Sequence, residues 1–268
     1  MGLNIYRNDA RNNLWFFLIW CGVFVGFIFM YLPMTNLILD EIDEIMGFVE
    51  KMPDFLLKMF SFEPEVFNKP EGIFGSEGMS FIYILSAVFA ANLAGAVFSK
   101  EFEEKTIEFL LVKPVKRWHV FFEKTFLMLT MIVLLSGLFT VFQFLGFNWF
   151  ISEAYSPKIL LSFGLYTFSV LTFFAGLSTL ISCITKKSNA NISISIGIII
   201  FMYFGDSLGR SFESVSWLSK MSIFNYIPLA ETIIHERMYF SNAIIISLIG
   251  LLLFLSGFFV FNRSDIEI

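Results

Sequence analysis

Long apolar stretches alternate with shorter polar ones along the whole chain. Each apolar stretch is long enough to cross the ~30 Å hydrocarbon core of a bilayer as a helix, and a helix pairs its own backbone groups where no water is available. The pattern therefore predicts an all-α integral membrane protein with six transmembrane helices in a single domain, 1–268. Six stretches lack any acidic or basic residue: Asn12–Leu39, Met79–Phe98, Thr125–Ser152, Ile159–Thr185, Ser188–Gly205 and Met238–Asn262.

The segment between the second and third apolar stretches, residues 99–117, is rich in charge. Read as a helix from Ser99 to about Val112, it separates a charged stripe from an apolar one. Proline cannot continue the backbone hydrogen bonding, so Pro114 ends this helix. Such a segment is typical of a docking element and not of a catalytic site. The charged stripe consists of Glu101, Glu104, Lys105 and Glu108.

Two other polar segments, 34–78 and 206–237, contain apolar residues at helical spacing. The first predicts two short amphipathic helices, broken near Pro53, that lie on the membrane surface. These helices either cap the spans or form a vestibule that faces a substrate. The second segment is too short to cross the bilayer twice, so it predicts a partly inserted helical hairpin before the sixth span.

The distribution of Lys and Arg predicts the sidedness of the protein. Six spans put both termini on one face, and the face with more basic residues is expected to be cytoplasmic. The face that holds the N-terminal segment 1–12 and the charged segment 99–117 is therefore predicted to be cytoplasmic, and the segment 34–78 extracellular. This face carries 11 of the 18 basic residues: Arg7, Arg11, Lys100, Lys105, Lys113, Lys116, Arg117, Lys124, Lys186, Lys187 and Arg263.

Composition and motifs narrow the function further. Hydrophobic residues make up 57% of the chain, and the net charge of −5 argues against a nucleic-acid partner. The sequence contains no phosphate-binding loop for ATP and no catalytic or metal-ligating motif. His119 and His235 are expected to be interfacial side chains, and Cys21 and Cys183 to be small packed hydrophobic residues.

Neutral polar residues are the only polar groups inside the six predicted spans. An ion-coupled transporter normally keeps ionisable groups there, and these spans have none. Their polar side chains are candidates for a substrate path, and the alternative is hydrogen bonding between helices. The candidates are Asn92, Thr140, Gln143 and Ser193.

Small residues recur at intervals of four in the first two spans. Gly22 and Gly26 form one stripe, and Ala87, Ala91 and Gly95 form another. Small side chains let helix backbones approach closely. Either stripe is therefore predicted to lie at a subunit interface or at a contact between helices of the same chain.

The charged segment resembles the first cytoplasmic loop of the permease subunits of type-2 ABC exporters, which typically reads E-x-E-x-G-T-x-E-x-L-L-x-x-P-x-x-R followed by a Lys. Lys105 stands where that family usually has Gly. The resemblance extends over essentially the whole chain, including the six spans and the sequence Phe261-x-Arg263-x-Asp265 after the last one. The matching residues are Glu101, Glu103, Thr106, Glu108, Leu110, Leu111, Pro114, Arg117 and Lys124.

This resemblance implies that 99–117 contains a coupling helix, which docks on a separate ATP-binding subunit. ATP and Mg²⁺ would then be bound by that subunit and not by this chain. It also implies a permease dimer, made of two copies or of two related permeases. The residues implied to couple to the ATPase are Glu101, Glu103, Glu104, Lys105, Thr106, Glu108, Pro114 and Arg117.

The function implied is export driven by ATP across a cell membrane, with a prokaryotic plasma membrane expected. Phe-rich spans suggest an amphipathic or hydrophobic substrate such as a peptide, an antimicrobial or a lipid, and lipid-facing Phe is the alternative explanation. Two other functions stay open: a secondary transporter that works without ATP, and a membrane sensor or scaffold with permease architecture.

Overall fold

The fold is a bundle of long helices. A computed structural model describes residues 3–49, 51–53, 64–103 and 116–263. Within these ranges, six helices are long and apolar enough to span a membrane, which confirms the predicted number. We call them the first to sixth spans: Leu14–Asp40, Pro70–Glu103, Arg117–Phe150, Pro157–Thr185, Ser188–Ser211 and Phe240–Arg263.

The second, third and fifth spans extend beyond their predicted bounds, and the third begins at Arg117 and not at Thr125. The second begins at Pro70 and continues through two π-helical stretches, Phe74–Gly78 and Gly95–Ser99, to Glu103. Residues 99–103 of the charged segment therefore continue the second span. The fifth span likewise includes Asp206 and Arg210. Charged residues end an apolar stretch of sequence, but a helix can continue through them when their side chains have hydrogen-bond or ion-pair partners.

The fourth span forms the centre of the bundle. In its most apolar stretch 78% of the residues are buried, against 17% in that of the first span. The fourth span packs against the second and sixth spans. Several of its hydroxyl groups bond to its own backbone: Thr167 donates to the carbonyl oxygen of Phe163, and Thr172 to that of Phe168, each at 2.8 Å. Because these bonds need no water, a helix that contains Ser and Thr can be buried completely.

The fourth and sixth spans pack tightly where two glycines meet. A Cβ on Gly176 would collide with the carbonyl oxygen of Gly250, and a Cβ on Gly250 would lie 2.6 Å from the carbonyl oxygen of Thr172. Both obstacles are backbone atoms, which cannot rotate away. The contact therefore requires glycine on both helices.

The chain between the fifth and sixth spans returns along the bundle in short helical pieces. These are two 3₁₀ turns and two short helices: Glu213–Val215, Ser216–Met221, Ile223–Tyr226 and Leu229–His235. The first short helix folds back on the end of the fifth span, where the Ser219 hydroxyl donates to Asp206 Oδ1 at 2.7 Å. Residues 206–211 of the segment predicted as a hairpin, 206–237, belong instead to the fifth span, and the partial insertion of the remainder in the membrane stays a prediction.

Within the described ranges, three further helices precede the second span, and the shortest of them is the single turn Pro64–Phe67. Helix Leu3–Asn12 leads into the first span, and helix Ile42–Val49 follows it. The latter corresponds to the first of the two amphipathic helices expected in 34–78. The second, around Phe55–Phe60, lies outside the described residues. Residues 70–78, which we assigned to this polar segment, belong instead to the second span because the helix begins at Pro70.

Candidate coupling site

A buried lysine ties together three elements where the charged segment begins. Lys124, in the first turns of the third span, is 1% exposed. Its Nζ donates to Asp9 Oδ2 at 2.8 Å, to Glu101 Oε1 at 2.6 Å and to the carbonyl oxygen of Val97 at 3.0 Å. Asp9 belongs to the N-terminal helix and Glu101 to the end of the second span. We call Lys124, Asp9 and Glu101 the lysine cluster.

The lysine cluster satisfies the hydrogen-bonding capacity of the ammonium group completely. An ammonium group has three donors, and each of the three has a partner in this site. Burying an ion is costly unless it is paired and hydrogen-bonded. The two carboxylates meet that condition for Lys124, so the cluster fixes the end of the second span to the third span and to the N-terminal helix.

Neighbouring contacts extend the lysine cluster to other helices. Glu103 Oε2 accepts a hydrogen bond from the backbone N–H of Ser188 at 3.1 Å, which joins the second span to the start of the fifth. Glu123 accepts one from the backbone N–H of Tyr6 at 3.3 Å and pairs with His119 Nε2 at 2.9 Å. The N-terminal helix is thus held to the third span at two points.

Aromatic rings connect the same region to the sixth span. The rings of Phe98 and Phe121 lie 5.2 Å apart, and that of Phe261 lies 5.8 Å from Phe102 and 6.3 Å from Phe98. Edge-to-face and tilted contacts between aromatic rings stabilise the fold beyond what the burial of their apolar surface contributes. The second, third, fifth and sixth spans therefore all contact the residues from which the charged segment leaves the bundle.

The coupling residues expected from the sequence are described only in part. Glu101 and Glu103 bond within the chain, to Lys124 and Ser188, and Arg117 begins the third span. Their contact with an ATPase stays a prediction, but the two glutamates also have internal partners. Residues Glu104, Lys105, Thr106, Glu108 and Pro114 lie outside the described residues.

Sequence reasoning missed Asp9 because the helix that holds it is short and polar. One signal was present: Tyr6, Asp9, Ala10 and Asn13 follow helical spacing along one face. Asp9 is buried within that face, while Arg7 and Asn8 are exposed. An acid on the inner face of a polar helix requires a basic partner, and Lys124 is that partner.

The four substrate-path candidates differ in their surroundings. Asn92 donates to the carbonyl oxygen of Val88, Thr140 donates to that of Ser136, and Ser193 is exposed. Gln143 is fully buried, and neither atom of its amide has a partner among the described residues. Their role in a path stays a prediction. No group of residues in the described ranges could hold a metal ion.

The two stripes of small residues differ in their surroundings. Ala87, Ala91 and Gly95 are buried, and Asn191 of the fifth span donates to the carbonyl oxygen of Ala91 at 3.2 Å. This stripe makes a contact within the chain. A Cβ on Gly22 or Gly26 would instead meet no atom within 4 Å. The first-span stripe is therefore open to the outside of the bundle.

Comparison with known proteins identifies the family. A family model described as ABC-2 family transporter protein matches residues 3–266, nearly the whole chain. No curated protein matches the sequence. The family match agrees with the six spans and with the charged segment between the second and third. The chain therefore belongs to the ABC-2 transporter family and is a transmembrane permease of the ABC type.

Proposed function

We propose that the chain is the membrane subunit of an ATP-driven exporter, and that it receives its driving force through the segment 99–117 from a separate ATP-binding subunit. The observation that carries the proposal is the lysine cluster. It anchors the beginning of this segment, through Glu101, to the third span and to the N-terminal helix. A segment anchored in this way can transmit a displacement to the bundle.

The anchoring of the segment 99–117 determines which spans would move when a partner displaces it. Because Glu101 and Glu103 are bonded to different spans, a partner that moves the segment moves the second, third and fifth spans with it. Coupled shifts of packed helices are a common route for switching between two states. In this proposal ATP and Mg²⁺ bind to the partner, and closure of two such partners moves two permeases between inward-open and outward-open states.

The double variant Glu104→Arg/Glu108→Arg is expected to lower the amount of copurified ATP-binding subunit by about tenfold or more, since reversing charges at an interface leaves like charges opposed. These two residues are chosen because Glu101 has an internal partner. The measurement is copurification from membranes of the source organism, with the ATPase identified by mass spectrometry and its hydrolysis rate recorded.

The matched control is Glu213→Arg, an exposed charge reversal at the opposite end of the bundle. It is expected to leave association unchanged. Normal association and normal hydrolysis with the Glu104→Arg/Glu108→Arg variant would contradict the coupling role of the segment.

A second permease, identical or related, is the other partner in this proposal. The open stripe of Gly22 and Gly26 offers a surface where another helix could approach closely. Gly22→Leu with Gly26→Leu is expected to convert dimers into monomers without lowering the melting temperature, because the added side chains meet no atom of their own chain.

Mass photometry in lipid nanodiscs measures this change in oligomeric state. Gly137→Leu with Gly197→Leu is the matched control, since these two glycines also have open surroundings but lie on other spans. An unchanged dimer fraction in the Gly22/Gly26 variant would assign the interface to a different face.

The cargo is proposed to be amphipathic or hydrophobic, such as a peptide, an antimicrobial or a lipid, and the location to be a prokaryotic plasma membrane. The support is the large apolar surface of the spans and the family membership. Survival of cells with and without the transporter, exposed to a panel of membrane-active peptides, tests whether the transporter protects the cell by removing such peptides. Equal sensitivity to every peptide would exclude these peptides as cargo.

A further inference from the structure

The N-terminal helix, Leu3–Asn12, presents two arginines on its outer face. Arg7 and Arg11 are one helical turn apart, so their side chains lie on the same side of the helix. Between residues 5 and 12, the exposed side chains are those of Arg7, Asn8, Arg11 and Asn12. Neither arginine has an ion-pair partner within the described ranges. This face therefore carries two positive charges that no acidic residue of the same helix balances.

The acidic residues that hold this helix to the bundle face inward. Asp9 is buried and pairs with Lys124. Glu123 of the third span accepts a hydrogen bond from the backbone N–H of Tyr6 and pairs with His119. Because both carboxylates have partners inside the bundle, the two arginines determine the charge that the helix presents to its surroundings.

The arginines lie where two neighbouring spans pass from charged to uncharged sequence. Arg11 is the last charged residue before the first span, and the next one along the chain is Asp40. In the third span, Lys124 is followed by no charged residue until Glu153. The ion pair of Lys124 with Asp9 brings both transitions to nearly the same depth. The phosphate groups of a bilayer are expected at this depth, because a charged side chain is costly further in.

Exposed aromatic rings occur at the same depth. Trp15 is 76% exposed and follows Arg11 by one helical turn. Helical hydrogen bonding continues through the join at Asn13, whose backbone N–H donates four residues back at 3.0 Å. Phe126 of the third span is 64% exposed, and its ring lies 5.6 Å from that of Tyr6. Tryptophan is typical of the membrane interface, so two guanidinium groups followed by an indole match a lipid from its phosphate to the start of its acyl chains.

We propose that the outer face of the N-terminal helix binds the phosphate headgroup of an anionic membrane lipid, which Arg7 and Arg11 hold while its acyl chains begin beside Trp15. Arginine suits this ligand because its planar guanidinium group can donate two parallel hydrogen bonds to one phosphate. Gly22 lies about two turns beyond Trp15, so the stripe proposed for a second permease is not part of this site.

The lipid site is connected to the lysine cluster through Asp9, which lies on the inner face of the same helix. A headgroup on the outer face therefore holds one anchor of the segment 99–117 at the membrane surface. That the lipid supports coupling in this way rests on the proposed exporter function. Binding itself depends only on this chain.

Native mass spectrometry of the full chain in detergent measures the binding of single lipid molecules. Phosphatidylglycerol, which is anionic, is compared with phosphatidylcholine, in which a quaternary ammonium group balances the phosphate. Phosphatidylglycerol is expected to bind about tenfold more tightly, because each arginine near a membrane surface favours anionic lipid. sn-Glycerol 3-phosphate in about tenfold excess over the lipid is expected not to displace it, because this compound has no acyl chains to bury.

Two double variants locate the binding. Arg7→Gln with Arg11→Gln is expected to weaken phosphatidylglycerol binding by about tenfold and to leave phosphatidylcholine binding unchanged. Lys220→Gln with Arg237→Gln is the matched control, which removes two exposed positive charges from the other end of the bundle and is expected to change neither. Both variants are expected to melt with the wild type in phosphatidylcholine nanodiscs, which checks that they are folded.

The proposal is overturned if the wild-type chain binds both lipids equally, if sn-glycerol 3-phosphate displaces the lipid, or if the Arg7→Gln/Arg11→Gln variant binds phosphatidylglycerol as tightly as the wild type or the control variant does. Loss of copurified ATPase from the arginine variant, with lipid binding unchanged, would assign this face to the partner protein instead. A failure of the exporter function has a different signature. In that case the Glu104→Arg/Glu108→Arg variant keeps its ATPase contacts, while lipid binding by the isolated chain is unaffected.

Discussion

Lys124→Met is expected to lower the free energy of unfolding by about 3–5 kcal/mol, because it leaves the carboxylates of Asp9 and Glu101 next to each other without their cation. The lysine is 1% exposed, and Asp9 is 8% exposed, so water cannot replace the lost partner. Methionine fills a similar volume, so the loss reports on charge and not on a cavity.

Thermal unfolding followed with a thiol-reactive dye measures this loss. Cys21 and Cys183 are both buried, so they react only when the chain unfolds. Lys220→Met, at an exposed lysine near the other end of the bundle, is the control and is expected to leave the melting temperature within experimental scatter.

A charge-free version of the lysine cluster tests the cause. The triple variant Asp9→Asn, Glu101→Gln, Lys124→Met is expected to recover part of the lost stability, since it leaves no buried charge without a counter-ion. A triple variant as unstable as Lys124→Met would mean that the unpaired carboxylates are not the cause of the loss, and that the lysine cluster does not anchor the segment through its charges.

Gly250→Val is expected to prevent close contact between the fourth and sixth spans and to destabilise the fold on the order of 3 kcal/mol or more. A Cβ at this position would lie 2.6 Å from the carbonyl oxygen of Thr172 and 2.8 Å from backbone atoms of Phe173. Because these are backbone atoms, the two helices must separate. Gly176→Val is expected to act in the same way from the other helix.

Size-exclusion chromatography and the same thermal assay provide the measurement. Gly197→Val is the matched control, because a Cβ there meets no atom within 4 Å. Gly250→Ala is expected to be intermediate, since it adds one atom. If the Gly250→Val variant has the same melting temperature as the wild type, the fourth and sixth spans do not meet at these glycines in the membrane.

The sequence alone determined the class of the fold and the place of the charged segment. Backbone groups in hydrocarbon must be paired internally, so an apolar run of sufficient length has few alternatives to a helix. The order of charged residues, apolar residues and Pro114 in 99–117 is likewise a property of a short stretch of sequence, so it could be recognised without the fold. Its resemblance to type-2 ABC permeases agrees with the family match.

The sequence was less informative about where the spans end. The charges of Glu71 and Asp206 interrupted the apolar pattern of the sequence, yet both residues belong to helices. Glu71 accepts a hydrogen bond from the backbone N–H of Ser156, and Asp206 bonds to Arg210 and Ser219. Hydropathy assigns one value to each residue type. Whether a charged residue ends a helix depends instead on the hydrogen-bond and ion-pair partners of its side chain, which a hydropathy value does not include.

Only the tertiary structure decided which residues meet. Two stripes of small residues were visible in the sequence, but one of them is open, and a tight contact between the fourth and sixth spans uses Gly176 and Gly250 instead. Lys124 finds Asp9 and Glu101, which lie 115 and 23 residues away in sequence. A cavity of about 290 Å³ is likewise lined by residues of both the second and the fifth spans. Such contacts depend on which faces of distant helices pack together, and this follows from the fit of all six spans and not from any local pattern.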